Sequence, residues 1–70
     1  MRTISQKTAE KLLTVENSRT ITNKKTDAVD VYVDILSNGE YLLSTYDDKC
    51  NSEYYLSESE EEVMKFYNNL

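Results

Sequence analysis

Carboxylates are the reactive groups this chain holds in quantity. Thirteen Asp and Glu stand against eight Lys and Arg, and there is no histidine. Eight of them fall in three groups: Asp30 and Asp34 on either side of Tyr32, Asp47-Asp48, and the run from Glu58 through Glu60, Glu61 and Glu62. Paired carboxylates can act as general acid and base in glycoside hydrolysis, but a chain this short lacks the cleft such a substrate needs. Asp47 to Glu58 has the twelve-residue length of a calcium loop and ends in Glu. Its third position is Lys49 and its sixth is Ser52, where such a loop requires an oxygen ligand and a glycine, so the motif fails. Without histidine the usual general base and the commonest metal ligand are both missing. Cys50, the single cysteine, has no histidine to activate it. No serine sits in a nucleophile elbow. Gly39, the only glycine, cannot make a phosphate-binding loop. The expectation is a protein that is not an enzyme, with no catalytic residue, no metal site and no cofactor.

Binding is the chemistry left to these carboxylates. Asp30 and Asp34 stand four residues apart, about 13 Å at strand rise, close to two phosphate steps along one DNA strand. Aspartate is disfavoured in mid-strand, so this row asks for a reason. Glutamates at a helix start have one already, in the helix dipole. Six tyrosines in seventy residues also favour an interface, since tyrosine joins an apolar ring to a polar tip at little cost in entropy. Tyr32, between two aspartates, is the strongest candidate. Tyr54 or Tyr55 and Tyr67 read better as the rim of a small core. The expected partner-binding set is Asp30, Tyr32, Asp34, Asp47, Asp48, Glu58 and Glu61.

The element that must position Asp30, Tyr32 and Asp34 is a β-hairpin over Ala28 to Asp48, turning at Asn38-Gly39. Val29, Val31, Val33 and Ile35 alternate with the aspartate row, so the apolar row is a core face and the Asp-Tyr-Asp row faces outward. Two registers compete. A two-residue turn pairs Ile35 with Leu42 and sets Asp30 opposite Asp47. A three-residue loop, Ser37-Asn38-Gly39, pairs Ile35 with Tyr41 and Val33 with Leu43. The second keeps both facing rows apolar and separates the like charges, and is preferred. Tyr41 or Tyr46, according to register, joins Tyr32 or turns inward.

Ahead of the hairpin, Ile4, Thr8 and Leu12, with Ala9 and Leu13 beside them, predict a helix over Ile4 to Leu13 opened by a capping box at Thr3. Arg19 to Asn23 predicts a short strand that contributes Ile21 to the core. After the hairpin, Glu53 to Leu56 predicts a last strand. Both Ser57/Glu60 and Ser59/Glu62 fit a capping box for a C-terminal helix with Val63, Phe66, Tyr67 and Leu70 on one face. The predicted fold is α+β: an N-terminal helix, a three- to four-stranded antiparallel sheet and a C-terminal helix. Both helices are expected on the Val29/Val31/Val33/Ile35 face. Leu36 and Leu42 are then left outward beside Tyr32, a partly apolar second face that would suit a homodimer.

Seventy residues form one domain, 1–70, with a thin stability margin and no disulfide to staple it. No apolar run is long enough to cross a bilayer, and Met1-Arg2 leads into polar residues rather than a secretory signal. The expected location is the cytoplasm, that of the host cell if the chain is phage-encoded. Charge is unevenly distributed within a net charge of −5: residues 1–25 hold six basic and two acidic side chains, and residues 26–70 hold two basic and eleven acidic. Such asymmetry bears on partners and association rates rather than on fold.

The C-terminal residues Glu53-Tyr54-Tyr55-Leu56-Ser57-Glu58-Ser59-Glu60, followed by Val63-Met64-Lys65-Phe66, resemble the strand-to-helix junction of a family of small acidic anti-CRISPR proteins that inhibit Cas9. The likeness covers under a third of the chain, and the acidic tail and second C-terminal helix of that family are missing. The resemblance implies a helix, an antiparallel sheet and a following helical part, and inhibition by carboxylates placed where PAM DNA would sit. It implies a class, small acidic phage inhibitors that imitate nucleic acid, and no contact residue. The expected function is that of an acidic protein-binding inhibitor, and the expected partner is a basic nucleic-acid-binding protein such as a Cas nuclease or effector complex. Direct nucleic-acid binding and membrane binding are not expected. The alternative is a non-enzymatic interaction or oligomerisation module.

Overall fold

The order of strands across the sheet decides where everything else lies. A computed structural model describes residues Met1–Leu70. In chain order the elements are β1 (Arg2–Ile4), α1 (Gln6–Leu12), β2 (Ser18–Lys25), β3 (Val29–Leu36), β4 (Tyr41–Asp47), β5 (Ser52–Ser57) and α2 (Glu60–Asn68). They form an α+β fold around one antiparallel sheet with the spatial order β1-β5-β4-β3-β2. Four strands run as a meander, and β1 adds to the far edge beside β5. Since β1 and β2 lie on opposite edges, the chain between them must cross one face of the sheet, and α1 is the part that crosses.

Register follows the loop. Ile35 pairs with Tyr41 and Val33 with Leu43, as the three-residue loop requires. The Leu36 N–H donates to the Glu40 carbonyl at 2.8 Å, and the Gly39 N–H donates to the Leu36 carbonyl at 2.9 Å. Gly39 closes the loop at φ +90°, a conformation open to glycine at little cost. Asp30 consequently faces Tyr46 rather than Asp47.

Both sheet faces are buried, each by one helix. Leu42 and Leu43 are neighbours on β4, point to opposite sides, and are both fully buried. One cluster joins Val31, Val33 and Leu43 to Val63 and Tyr67 of α2, with Tyr55, Met64 and Phe66 packed at its edge. The other joins Leu36, Leu42, Tyr54 and Leu56 to Ala9 of α1, with Ile4, Leu12, Leu13 and Tyr46 around it. Full burial of one such side chain contributes about 1.5–3 kcal/mol. At α2 the Ser59 hydroxyl accepts from the Glu62 N–H, so the second of the two capping candidates is used. Lys24 closes the other end of α2, donating to the Tyr67 carbonyl at 2.7 Å with its ammonium 4.5 Å from the Tyr67 ring centre.

Several expectations change. The helices take opposite faces, because the crossing from β1 to β2 occupies the face that the aspartate row shares. Leu36 and Leu42 are therefore core residues under α1, and the apolar second face offered for a homodimer is covered. The sheet has five strands, since Arg2–Ile4 pairs with β5 instead of starting a helix. Ser5, not Thr3, caps α1, accepting from the Thr8 N–H. Ile21 lies at a register shift between Thr20 and Thr22 and is 39% exposed, so it contributes little to the core. Ile35 and Phe66 are half-buried, and Leu70 is exposed.

Candidate functional site

The aspartate row of β3 stands where α1 stops. This helix has only seven residues and packs mainly against β5. It covers the Leu36 end of β3 and leaves the Asp30 end open. The result is a cleft of about 380 Å³ between Leu13, β2, β3 and β4, with Asp30, Tyr32 and Asp34 along one strand and Ser44 and Tyr46 along the next. Strand alternation is the reason these side chains share a face: Tyr32 is paired with Ser44, and Asp30 with Tyr46.

Asp34 is not an outward residue. It is 7% exposed, in a cleft that Leu13 also lines, and beside Thr20, whose hydroxyl donates to Oδ1 at 3.2 Å. Burial holds its carboxyl above the ordinary aspartate value of 3.8, and hydrogen bonding from Thr20 and Ser18 offsets part of this. The chain's two ion pairs, Met1 with Glu62 and Arg2 with Glu40, lie elsewhere. The Ser44 hydroxyl is buried with no hydrogen-bond partner in the chain. Tyr32 remains exposed at 39%. Its ring meets Tyr46 edge-on at 5.8 Å, and Tyr46 meets Tyr54 in the same way at 5.9 Å. Burial, with the Tyr54 phenol alongside, pushes the Tyr46 hydroxyl up to about 12.

A second hollow adjoins the cleft through Asp30 and Tyr46 and brings in Asp27, Asp47 and Asp48. Asp47 is bound into its own turn. Oδ1 accepts from the Lys49 and Asn51 N–H groups, both at 2.9 Å, and Oδ2 accepts from Asn51 Nδ2 at 3.1 Å. These bonds hold its carboxyl below the ordinary value, Asn51 contributing most. Asp48 is exposed beside it. No group of three or more His, Cys, Asp or Glu is arranged to hold a metal ion, and no helix is long and apolar enough to cross a membrane.

Of the seven residues expected to bind a partner, five gather here: Asp30, Tyr32 and Asp34 in the cleft, Asp47 and Asp48 at its end. Glu58 and Glu61 do not join them. Tyr46 pairs with Ser52 at one end of the β4–β5 ladder and Tyr41 with Ser57 at the other, so Glu58 starts about 17 Å away at strand rise. Glu61 is further separated, since α2 occupies the opposite face. Sequence reasoning missed Thr20, Ser44 and Leu13. Ser44 left one signal: it is a small polar residue inside an apolar strand, opposite Tyr32 in the adopted register. Thr20 and Leu13 left none: β2–β3 pairing sets Thr20 opposite Asp34, and the chain leaving α1 brings Leu13 to the cleft, both contacts between positions distant in the sequence.

No family model, curated protein or solved structure matches this chain.

Proposed function

We propose that this chain is a small acidic inhibitor that binds a basic nucleic-acid-binding protein at its groove, and that it is not an enzyme. One observation carries the reading: exposed Tyr32 stands at the mouth of an open cleft, with Asp30, Asp27 and Asp48 grouped on the adjoining end of the sheet. An aromatic anchor beside a group of carboxylates that outnumbers the one lysine there, Lys25, suits a cationic partner surface, with the charges speeding encounter and the aromatic side chain supplying contact. The contact surface is narrower than a whole acidic face, because Glu58 and Glu61 lie at the far end and Asp34 is sunk in the cleft. A Cas nuclease is the partner that the sequence resemblance implies.

The test is calorimetric titration of a purified partner at low and high salt, with duplex DNA as competitor. Binding is expected to weaken as salt rises and to be lost when DNA fills the groove. Asp30→Lys with Asp48→Lys is expected to abolish binding in a folded chain, Tyr32→Ala to weaken it with little change in salt dependence, and Glu61→Lys to leave it nearly unchanged. A partner that holds DNA and this chain together, or binds the double variant as tightly as the parent, overturns the reading.

A further inference from the structure

The cleft holds a buried carboxylate that has hydroxyl donors but no cation, and a buried hydroxyl with no hydrogen bond in the chain. The Asp34 carboxylate is buried and in contact with no lysine or arginine. The Ser44 hydroxyl, on a residue only 1% exposed that lines the cleft, has no partner in the chain. Buried charges in folded proteins are paired, and buried hydroxyls are hydrogen-bonded. The two groups are diagonal neighbours on one face, since Asp34 faces Leu42 and Ser44 is two residues along. A diagonal of this kind spans about 7–8 Å between α-carbons, a gap that a planar group with donors on two edges can bridge. The Tyr32 and Tyr46 rings form the adjoining wall.

We propose that this cleft receives an arginine side chain, its guanidinium donating to the Asp34 carboxylate and the Ser44 hydroxyl and lying against the rings of Tyr32 and Tyr46. Anionic ligands are excluded by Asp30 and Asp34. A hard divalent cation is excluded too, because it needs several converging oxygens and these two carboxylates sit about 13 Å apart along the strand. Among organic cations, guanidinium fits better than ammonium. It is planar, stacks on aromatic rings, has five donors in a fixed fork and gives up its water more readily. The inference rests on the protein-binding reading only for the owner of the arginine.

The experiment separates the two. The isotope-labelled chain is titrated with N-acetyl-arginine methylamide, followed by amide chemical shifts, and in parallel with the citrulline and lysine analogues. Saturable shifts are expected at Thr20, Tyr32 and Ser44, with none from citrulline, which keeps the shape without the charge, and at least tenfold weaker binding by lysine. Asp34→Asn is expected to abolish the response and Ser44→Ala to weaken it. Tyr32→Ala, at an exposed side chain, weakens it in a chain whose remaining spectrum is unchanged. No saturable response to the arginine analogue, an equal response to citrulline or lysine, or full binding by Asp34→Asn overturns the pocket. A chain that binds the analogue but no nucleic-acid-binding protein keeps the pocket and loses the inhibitor reading.

Discussion

Asp34 carries a carboxylate into a place with the Thr20 and Ser18 hydroxyls beside it and no cation. Its raised pKa means that folding disfavours the ionised form. The resulting loss of stability is fully present above the folded pKa. It disappears as the pH falls through that value to below 3.8, where the unfolded chain is protonated as well. Asp34→Asn keeps an oxygen for Thr20 and removes the charge. We expect the variant to be at least as stable as the parent in urea at neutral pH, and this advantage to vanish on acidification. A difference that stayed constant with pH would show that the parent carboxylate is well solvated. Asp47 runs the other way. Its lowered carboxyl adds stability above the ordinary value, and this is lost as the pH falls through the folded one.

At the scale of elements, two local devices can be isolated. Gly39 sits at φ +90° with nothing within 4 Å of where a Cβ would be, so substitution there meets a backbone cost and no clash. Gly39→Val is expected to cost about 1–2 kcal/mol, and Gly39→Asn clearly less, because asparagine tolerates the left-handed region. Equal costs on denaturation would assign the effect to contacts instead. Ser59 caps α2 through the Glu62 N–H. Ser59→Ala is expected to cost about 1 kcal/mol. The helix should fray from its first turn, which amide exchange at Glu61 to Val63 would register. The Ser59 N–H itself bonds the Ser57 hydroxyl, and the Glu62 carboxylate turns to Ser57 and the Met1 amine, so the cap is half of a capping box.

As a whole the molecule is a sheet with a five-residue core on each side. At about 0.05–0.15 kcal/mol per residue, seventy residues have a total stability of about 4–10 kcal/mol. Leu42→Ala, which empties the α1 side, is expected to cost about 2–5 kcal/mol, and Val33→Ala on the α2 side about 2 kcal/mol. Both should lower the midpoint of a single cooperative unfolding transition, because β4 carries both cores through Leu42 and Leu43. Ile21→Ala, at the exposed edge bulge, should change stability by less than about 0.5 kcal/mol. Two separate transitions in the Leu42 variant would contradict one shared sheet.

The preferred hairpin register and Gly39 were legible in the residues because they are local, and the cap of α2 was narrowed to Ser57 or Ser59 for the same reason. Alternation, like charges kept apart and a left-handed glycine act within a few positions of each other. The α2 face was legible as well, since Val29, Val31 and Val33 announce it by period. The α1 face was not. Asp30, Tyr32, Asp34 and Leu36 alternate as a solvated strand face does, and nothing near them says that a helix from the other edge of the sheet will cover one end. That depends on Arg2–Ile4 pairing with β5, whose partners in the register run from Leu56 back to Tyr54, at the other end of the chain. Once β1 and β2 occupy opposite edges, α1 must cross between them. The crossing buries Leu36 and Leu42, sets Leu13 in the lining of the cleft that holds Asp34, and leaves Tyr32 exposed. Sequence alone determined which residues alternate and where the chain turns. Only the tertiary structure decided that the aspartate row is half core and half cleft, because burial is set by whichever distant element lies on a face and not by the pattern along it.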